Sequence, residues 1–432
     1  MNKLIVALNG LEVGVLFRDK KGAMSFQYTN EWLKEPGTRA ISLSLPLSNQ
    51  KYVGQEVFNF FDNLLPDSRE IIARMQARFQ ITSKHPFDLL ASVGRDCVGA
   101  IQLYQEGNQI PPIDEVHAEP LDERAIVELL EGYKTTPLGM NNSDDFRISL
   151  AGAQEKTALL WHQGCWQRPY GSTPTSHIFK LPIGRIEHNN IDLHESCENE
   201  WLCLKISRTF GLPVANAELA KFGEKTVLIV ERFDRRWSCD NRWLMRLPQE
   251  DMCQAMGIAP ALKYEADGGP GIADIMTLLL GSRNSITDRE TFFKSQILYW
   301  LLAAIDGHGK NFSIFIEPDS SYSMTPLYDI LSAYPIFGAK GVAPKKAKMA
   351  MALRGKSRQY HWATIQPRHF PSTARQVGFS ESMAEKLMNE MGNMAEKVIN
   401  QVANELPPNF PGHISDAIFT GLAKQAGRLC AG

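Results

Sequence analysis

Nine consecutive apolar residues, Ile297 to Ile305, run directly into Asp306-Gly-His-Gly-Lys-Asn311. A second mostly apolar run, Phe312 to Ile316, follows, then a turn at Glu317 to Ser321 and Leu327-Tyr-Asp329. This stretch constrains the chain more than any other. The apolar runs demand a core, and between them they deliver two carboxylates and a carboxamide to its edge. A carboxylate can accept a proton, and an amide oxygen paired with a second carboxylate can hold a hard divalent cation. Asp306 and Asn311 have four residues between them, the spacing phosphoryl-transfer loops use for a base and a Mg²⁺ ligand, and Asp329 falls where a following hairpin would end.

The bulk numbers permit such a centre and exclude other classes. At 432 residues, two or three domains and a large core are expected. With 44% hydrophobic and 22% charged residues and a net charge of −2, the chain has no global signature of a nucleic-acid binder. Its apolar runs fall short of the ~20 residues that span a bilayer, so no membrane association is expected. The start, Met-Asn-Lys-Leu-Ile-Val-Ala-Leu-Asn-Gly, reads as a strand and turn, not a signal peptide. Seven scattered cysteines without a Cys-x-x-Cys indicate neither a disulfide framework nor a zinc site, so a cytoplasmic location is expected.

In chain order, Leu4–Leu8, Glu12–Phe17 and Met24–Tyr28 read as strands, with an Asn9-Gly10 hairpin turn. Phe58–Leu65 and Ser68–Phe79 read as helices broken by Pro66-Asp67. This α+β part, residues 1–105, holds no cluster of catalytic residue types and suits a structural or partner-binding module. Residues 106 to about 122 are Pro- and Gly-containing and read as a linker, and Asp122–Tyr133 as a helix.

The polar loop Asn141–Asp145 leads into a strand Phe146–Leu150, a small-residue turn Ala151–Thr157, and a strand Ala158–Trp161. Strand, small-residue turn, strand can cover phosphates with main-chain N–H groups; the alternative is a plain hairpin. Ser176–Leu181 reads as a strand with Lys180 near its end, aimed at a triphosphate or simply solvated. Glu195–Phe210 reads as a helix opening with Glu195, Glu198 and Glu200. Glu200 could hold Lys180 as an ion pair, or merely favour a helix N-terminus. Thr226–Val230 is a buried strand entering Glu231-Arg-Phe-Asp-Arg235, either a hinge whose main chain meets an adenine or a strand reaching the surface. From about 240 the chain reads as mostly helical, with Gln249–Met256, Ala273–Leu280, Ser380–Ala403 and His413–Leu429 as helices and Asp267-Gly-Gly-Pro-Gly271 as a break. Lys345, Lys346, Lys348, Arg354, Lys356 and Arg358 form one basic cluster, read as solvated loop charge with phosphate contact as the alternative.

Together, Phe60–Asp67, Ile148–Thr157, His177–Gly184, Val230–Trp237, Arg246–Gln254 and Asp306–Ser313 resemble the HipA family, serine/threonine kinase toxins of bacterial toxin–antitoxin modules, over essentially the whole chain. The resemblance implies an α+β, bilobed protein-kinase-like fold: an N-terminal subdomain at 1–105, the remainder of a β-rich ATP lobe at 106–240 and an all-helical lobe at 241–432. It implies ATP and Mg²⁺ as cofactors and Asp306 as the catalytic base. It implies Asn311 and Asp329 as Mg²⁺ ligands, Lys180 as the phosphate-binding lysine, and Glu231 and Phe233 as the adenine hinge. Gly152, Ala153, Gln154, Glu155, Lys156 and Thr157 would form the phosphate loop, with His308, Gly309 and Lys310 contacting nucleotide. Ser149 would be the autophosphorylation site whose modification ejects that loop. It further implies glutamyl-tRNA synthetase as substrate, arrest of translation and persistence, and an antitoxin HipB, a helix-turn-helix dimer, that recruits the kinase to operator DNA as co-repressor. Two rival readings stay open: an inert kinase-fold co-repressor and a small-molecule kinase. Against eukaryotic kinases, Ala304-Ile305 replaces the usual His-Arg and Ile330-Leu331 replaces Phe-Gly, which removes the expectation of a eukaryotic activation-loop switch.

Overall fold

A computed structural model of the chain describes residues 2–132, 148–152, 154–186, 191–338 and 341–430. The chain is an α+β protein made of two compact units interleaved in sequence. One comprises Met1–Leu181, Ala220–Ala261 and Ser313–Tyr322; the other comprises Pro182–Leu219, Leu262–Phe312 and Ser323–Gly432.

In the first unit an antiparallel sheet runs in the order Tyr52–Val53, Met24–Tyr28, Leu11–Arg18, Lys3–Leu8 and Ile101–Gln105. The expected hairpin is present, with Asn9 and Gly10 both at positive φ. Alternation along these strands buries Leu4, Val6, Leu16 and Phe26 against Phe60 and Phe61 of the helix Gln55–Asp62 and Phe87 of the helix Pro86–Val93. Ser68 caps the helix Arg69–Phe79 by accepting from the Ile71 N–H. A second sheet places Lys225–Glu231, His177–Lys180, Lys156–His162, Cys165–Pro169 and Ala118–Pro120 side by side. The helix Glu123–Glu131, capped by Asp122, covers it with Ile126, Leu129 and Leu130 against Leu159, Phe179, Val227 and Ile229.

The second unit is built around the helices Ser196–Thr209, Ser285–Leu301, Glu381–Asn404 and Gly412–Cys430, which pack on one another. Leu387, Met391, Val398 and Val402 line the buried face of the longest. Among the described residues no helix is long and apolar enough to cross a membrane.

The two compact units run across the expected bounds at 105 and 240. Ile148, Leu150 and Ala158 are buried in the same core as the N-terminal sheet, and the helix Ser196–Thr209 packs on the C-terminal helices. The stretch 241–432 is not all helical. Gln249–Asp251, read as the start of a helix, is a strand because Ser313–Ile316 pairs with it, and only Met252–Ala255 is helical behind an Asp251/Gln254 capping box. Lys348–Arg354 and Arg358–His361 form a hairpin in the basic cluster, because Met349 to Leu353 are buried while Lys345, Lys346, Lys348, Lys356 and Arg358 stay exposed. Tyr133, the loop Asn141–Asp145, Phe146, Arg147 and Ala153 lie outside the described residues.

Candidate active site

In the second unit the helix Ser285–Leu301 is buried through its last two turns and stops when Ala303 takes a left-handed conformation, with the Ala304 N–H on the Tyr299 carbonyl (2.8 Å). The chain then turns back on itself. A Cβ on Gly307 would overlap the Tyr299 ring, so only glycine fits. The loop is closed by main-chain bonds: His308 N–H to the Asp306 carbonyl (2.8 Å), Asn311 N–H to the His308 carbonyl (2.9 Å) and Gly309 N–H to the Lys263 carbonyl (3.0 Å). His308, Lys310 and Asn311 are buried, and Asp306 is exposed at the rim.

Asn311 Nδ2 donates to the Asp306 carbonyl (2.9 Å). The amide nitrogen is therefore committed, and the side-chain oxygen is the group Asn311 offers outward. Leu327 is held by a parallel bridge: its N–H donates to the Pro213 carbonyl (2.9 Å), and its carbonyl accepts from the Ala215 N–H (2.8 Å). Tyr328 OH donates to the Lys310 carbonyl (2.8 Å), tying this segment to the loop. Asp329 follows at φ 58°, a conformation that costs free energy in a non-glycine residue. Burial, and then the charge of Asp329, push the Tyr299 phenol far above its ordinary range. The donor set of an amide oxygen and a carboxylate suits Mg²⁺, which takes oxygen ligands and keeps water and phosphate in its shell. Among the described residues no group of three or more His, Cys, Asp or Glu side chains forms a metal cage, so such an ion would rely on phosphate for the rest.

One neighbour of Asp306 was not foreseen. Tyr264 OH donates to Asp306 Oδ1 (2.6 Å), and the Tyr264 ring stands edge-on to His308 with centroids 5.1 Å apart. Tyr264 is 42 positions upstream, and no local pattern marks it.

The first unit carries the other candidate groups. Ser149 is wholly buried; its N–H donates to the Asp96 carbonyl (3.0 Å) and its Oγ to the Leu64 carbonyl (2.6 Å). Gly152, at φ 104°, bridges Pro66 and accepts from the Asp67 N–H (3.0 Å). Lys156 Nζ turns back to the Ala151 carbonyl (2.9 Å), Gln154 Nε2 donates to the Leu181 carbonyl (2.6 Å), and Glu155 pairs with Arg74. Thr157 stands opposite Phe179, and Lys180 is buried between Lys156 and Leu228 of the flanking strands. Glu200 is buried on the helix Ser196–Thr209 of the other unit.

Glu231 ends the strand Lys225–Glu231 with an exposed side chain, opposite His177, and Phe233 packs edge-on to Phe315 (5.9 Å). The polar segment between them does not run to the surface. Arg235, Arg246 and Arg232 all reach Asp96 (2.8, 3.0 and 3.3 Å), Arg232 also holds Asp234 (2.9 Å), and Thr175 donates to Asp96 (2.8 Å). Burial alone would raise the Asp96 carboxyl; the guanidiniums of Arg235, Arg246 and Arg232 outweigh it and hold that carboxyl well below the ordinary range.

These features coincide with two matched family models: the HipA N-terminal domain over residues 4–104 and the HipA-like C-terminal domain over residues 148–399. The chain belongs to the HipA family. Y4mE of Sinorhizobium fredii, which carries a provisional kinase name, is 35% identical over 338 residues, 77% of this chain and 78% of the relative. The serine/threonine-protein kinase toxin HipA of Shewanella oneidensis is 26% identical over 337 residues, covering 75% and 74%. HipA from the Shewanella complex of HipA, HipB and operator DNA shares the fold, with a TM-score of 0.83 at 22% identity over 99% of this chain and 97% of that one. The chain is thus a member of the HipA-like serine/threonine kinase toxin family.

Proposed function

We propose that this HipA-family chain is an ATP-dependent serine/threonine protein kinase and the toxin of a type II toxin–antitoxin pair. The observation that carries the reading is the catalytic loop, in which one rigid turn commits the Asn311 nitrogen to the Asp306 main chain and leaves the Asp306 carboxylate at the rim. Asp306 accepts the proton of the acceptor hydroxyl, a role worth roughly 10²–10⁴ in rate. Lys180 places positive charge against the triphosphate, while main-chain groups of residues 152–157 line it. Glu231 and Phe233 meet the adenine. Asn311 and Asp329 hold Mg²⁺, which when bound supplies charge neutralisation on the phosphates.

The acceptor we propose is glutamyl-tRNA synthetase, with Ser149 as the site of self-modification. Phosphate on Ser149 would bring about −1.5 to −2 of charge into a pocket with no solvent, so the segment would have to leave the core. The Shewanella relative was solved with HipB and operator DNA; for this chain we propose an antitoxin of the same kind, co-repression through DNA, and a cytoplasmic site of action, in keeping with its seven free cysteines.

The test is transfer of ³²P from ATP to glutamyl-tRNA synthetase and to the chain itself. Asp306→Gln should lose at least about 10²-fold of both. Full transfer by that variant overturns the reading. Label on a small-molecule acceptor but on no protein would replace it with a small-molecule kinase, and no label from wild type would make the chain an inert co-repressor.

A further inference from the structure

The segment Lys263–Gly271 has no part in the reading above, yet it is built with unusual care. Glu265–Asp267 forms a 3-10 turn closed by Asp267 N–H and Gly269 N–H, both on the Tyr264 carbonyl (3.0 and 2.9 Å). A Cβ on Gly269 would overlap the Leu262 carbonyl, and one on Gly271 would press into the Glu265 side chain. Glu265 accepts from the Ala352 N–H (2.6 Å) and lies 3.5 Å from Arg358, which anchors the turn on the hairpin Lys348–His361. The Lys263 carbonyl takes the Gly309 N–H of the catalytic loop (3.0 Å). These contacts leave Tyr264 little freedom: its main chain closes the turn, its ring meets the edge of His308, and its hydroxyl ends on Asp306 Oδ1 at 2.6 Å.

We propose that Tyr264 is a positioning residue for phosphoryl transfer, its hydroxyl fixing the Asp306 carboxylate through Oδ1 so that Oδ2 is the oxygen that takes the acceptor's proton. The inference rests on Asp306 being the base. The closed turn fixes the Tyr264 main chain, and the ring, edge-on to His308 with its hydroxyl on Asp306, is placed as an orienting donor. A carboxylate held by one donor loses torsional freedom, and a hydrogen bond to a charged acceptor is among the stronger ones. The glycine-rich break and the hairpin that carries the basic cluster thereby gain a common role as the mount for Tyr264.

The experiment measures kcat and KM for ATP in ³²P transfer to glutamyl-tRNA synthetase, or to myelin basic protein where the synthetase takes no label, together with thermal unfolding. Tyr264→Phe should lower kcat about tenfold or more, leave KM within twofold and leave the unfolding midpoint in place. Glu265→Gln, which keeps the phenol but weakens its mount, should lower kcat about threefold with KM again unchanged. In an Asp306→Gln background the Tyr264→Phe change should have no further effect on the residual rate. A kcat equal to or above wild type in Tyr264→Phe overturns the proposal, as does a loss that appears equally in KM and the midpoint. If Tyr264→Phe does not fold, Glu265→Gln with wild-type kcat overturns it alone. Equal labelling by wild type and Asp306→Gln would instead overturn the kinase reading, so the two failures are told apart.

Discussion

Two carboxylates in the first unit, Asp96 and Glu250, are buried to a similar depth and meet opposite fates. Asp96 sits among three guanidiniums and is held ionised. Glu250, on the strand Gln249–Asp251, is completely buried; burial pushes its carboxyl up to about 8, with Ser42 and the Leu43 N–H pulling only partly the other way. Burial is common to both, so it does not decide the charge. The partners decide it. The difference also separates roles. Asp96 gathers the main chain at Ile148–Ser149, the segment Arg232 to Arg235 and the strand at Arg246 into one charged knot. Glu250 joins its own strand to Ser42 and Leu43.

The largest effect should come from breaking the knot. Asp96→Asn leaves three buried arginines short of a counter-charge, and loss of one partner of a buried ionic network costs about 3–5 kcal/mol. Urea unfolding should report that loss, and on the kinase reading ATP affinity should weaken, because Glu231–Phe233, proposed to meet the adenine, is flanked by the freed arginines. A loss under about 1 kcal/mol would mean that Asp96 is as dispensable as an exposed carboxylate, and the contrast with Glu250 would fall.

Much of this was open to sequence reading where spacing is local. The Asp306–Asn311 interval, the strand carrying Lys180 and the Asn9-Gly10 turn each depend on residues a few positions apart, and each stands where expected. The charged knot was hidden for the opposite reason. Glu231-Arg-Phe-Asp-Arg235 looks like a strand surfacing, and it takes Asp96, more than 130 positions away, together with Asp234 to make burial of its arginines tolerable. Tyr264 was hidden because its partner lies 42 positions away. The interleaving of the units followed from the pairing of Gln249–Asp251 with Ser313–Ile316, a contact that neither segment announces. The hairpin Lys348–His361 was masked by its own charges, which drew attention from the buried Met349 to Leu353.

The second prediction uses pH. Glu250 has a folded-state value raised above that of the unfolded chain, so the stability linked to its proton is complete below the ordinary carboxylate range and is lost as the pH rises through about 8. Asp96 has the reverse sign: its contribution stands above the ordinary range and is lost only in acid. Wild type should therefore weaken from pH 5 to 8 by about 3–4 kcal/mol relative to Glu250→Gln, which carries no titrating proton there. Denaturation midpoints of the two proteins across that window check it. Parallel curves would show that Glu250 does not titrate in the fold, and would make the two carboxylates alike after all.

The smallest effect concerns the seam between the knot and the candidate modification site. Ser149 touches Asp96 only through its N–H, and its hydroxyl goes to the Leu64 carbonyl instead. Ser149→Ala should therefore leave the knot intact and lose one buried hydrogen bond, about 1 kcal/mol in urea unfolding. A loss as large as that of Asp96→Asn would mean that the segment at Ser149 and the arginine cluster stand or fall together, so that the hydroxyl supports the charges and Asp96 does not act alone. On the kinase reading, mass spectrometry adds a second readout, since Asp306→Gln should carry no phosphate at Ser149 and wild type should. Because the N–H to Asp96 must be given up when a phosphorylated Ser149 leaves its pocket, while the arginines keep their own carboxylate, modification should release the segment Ile148–Gly152 without dissolving the charged knot behind it.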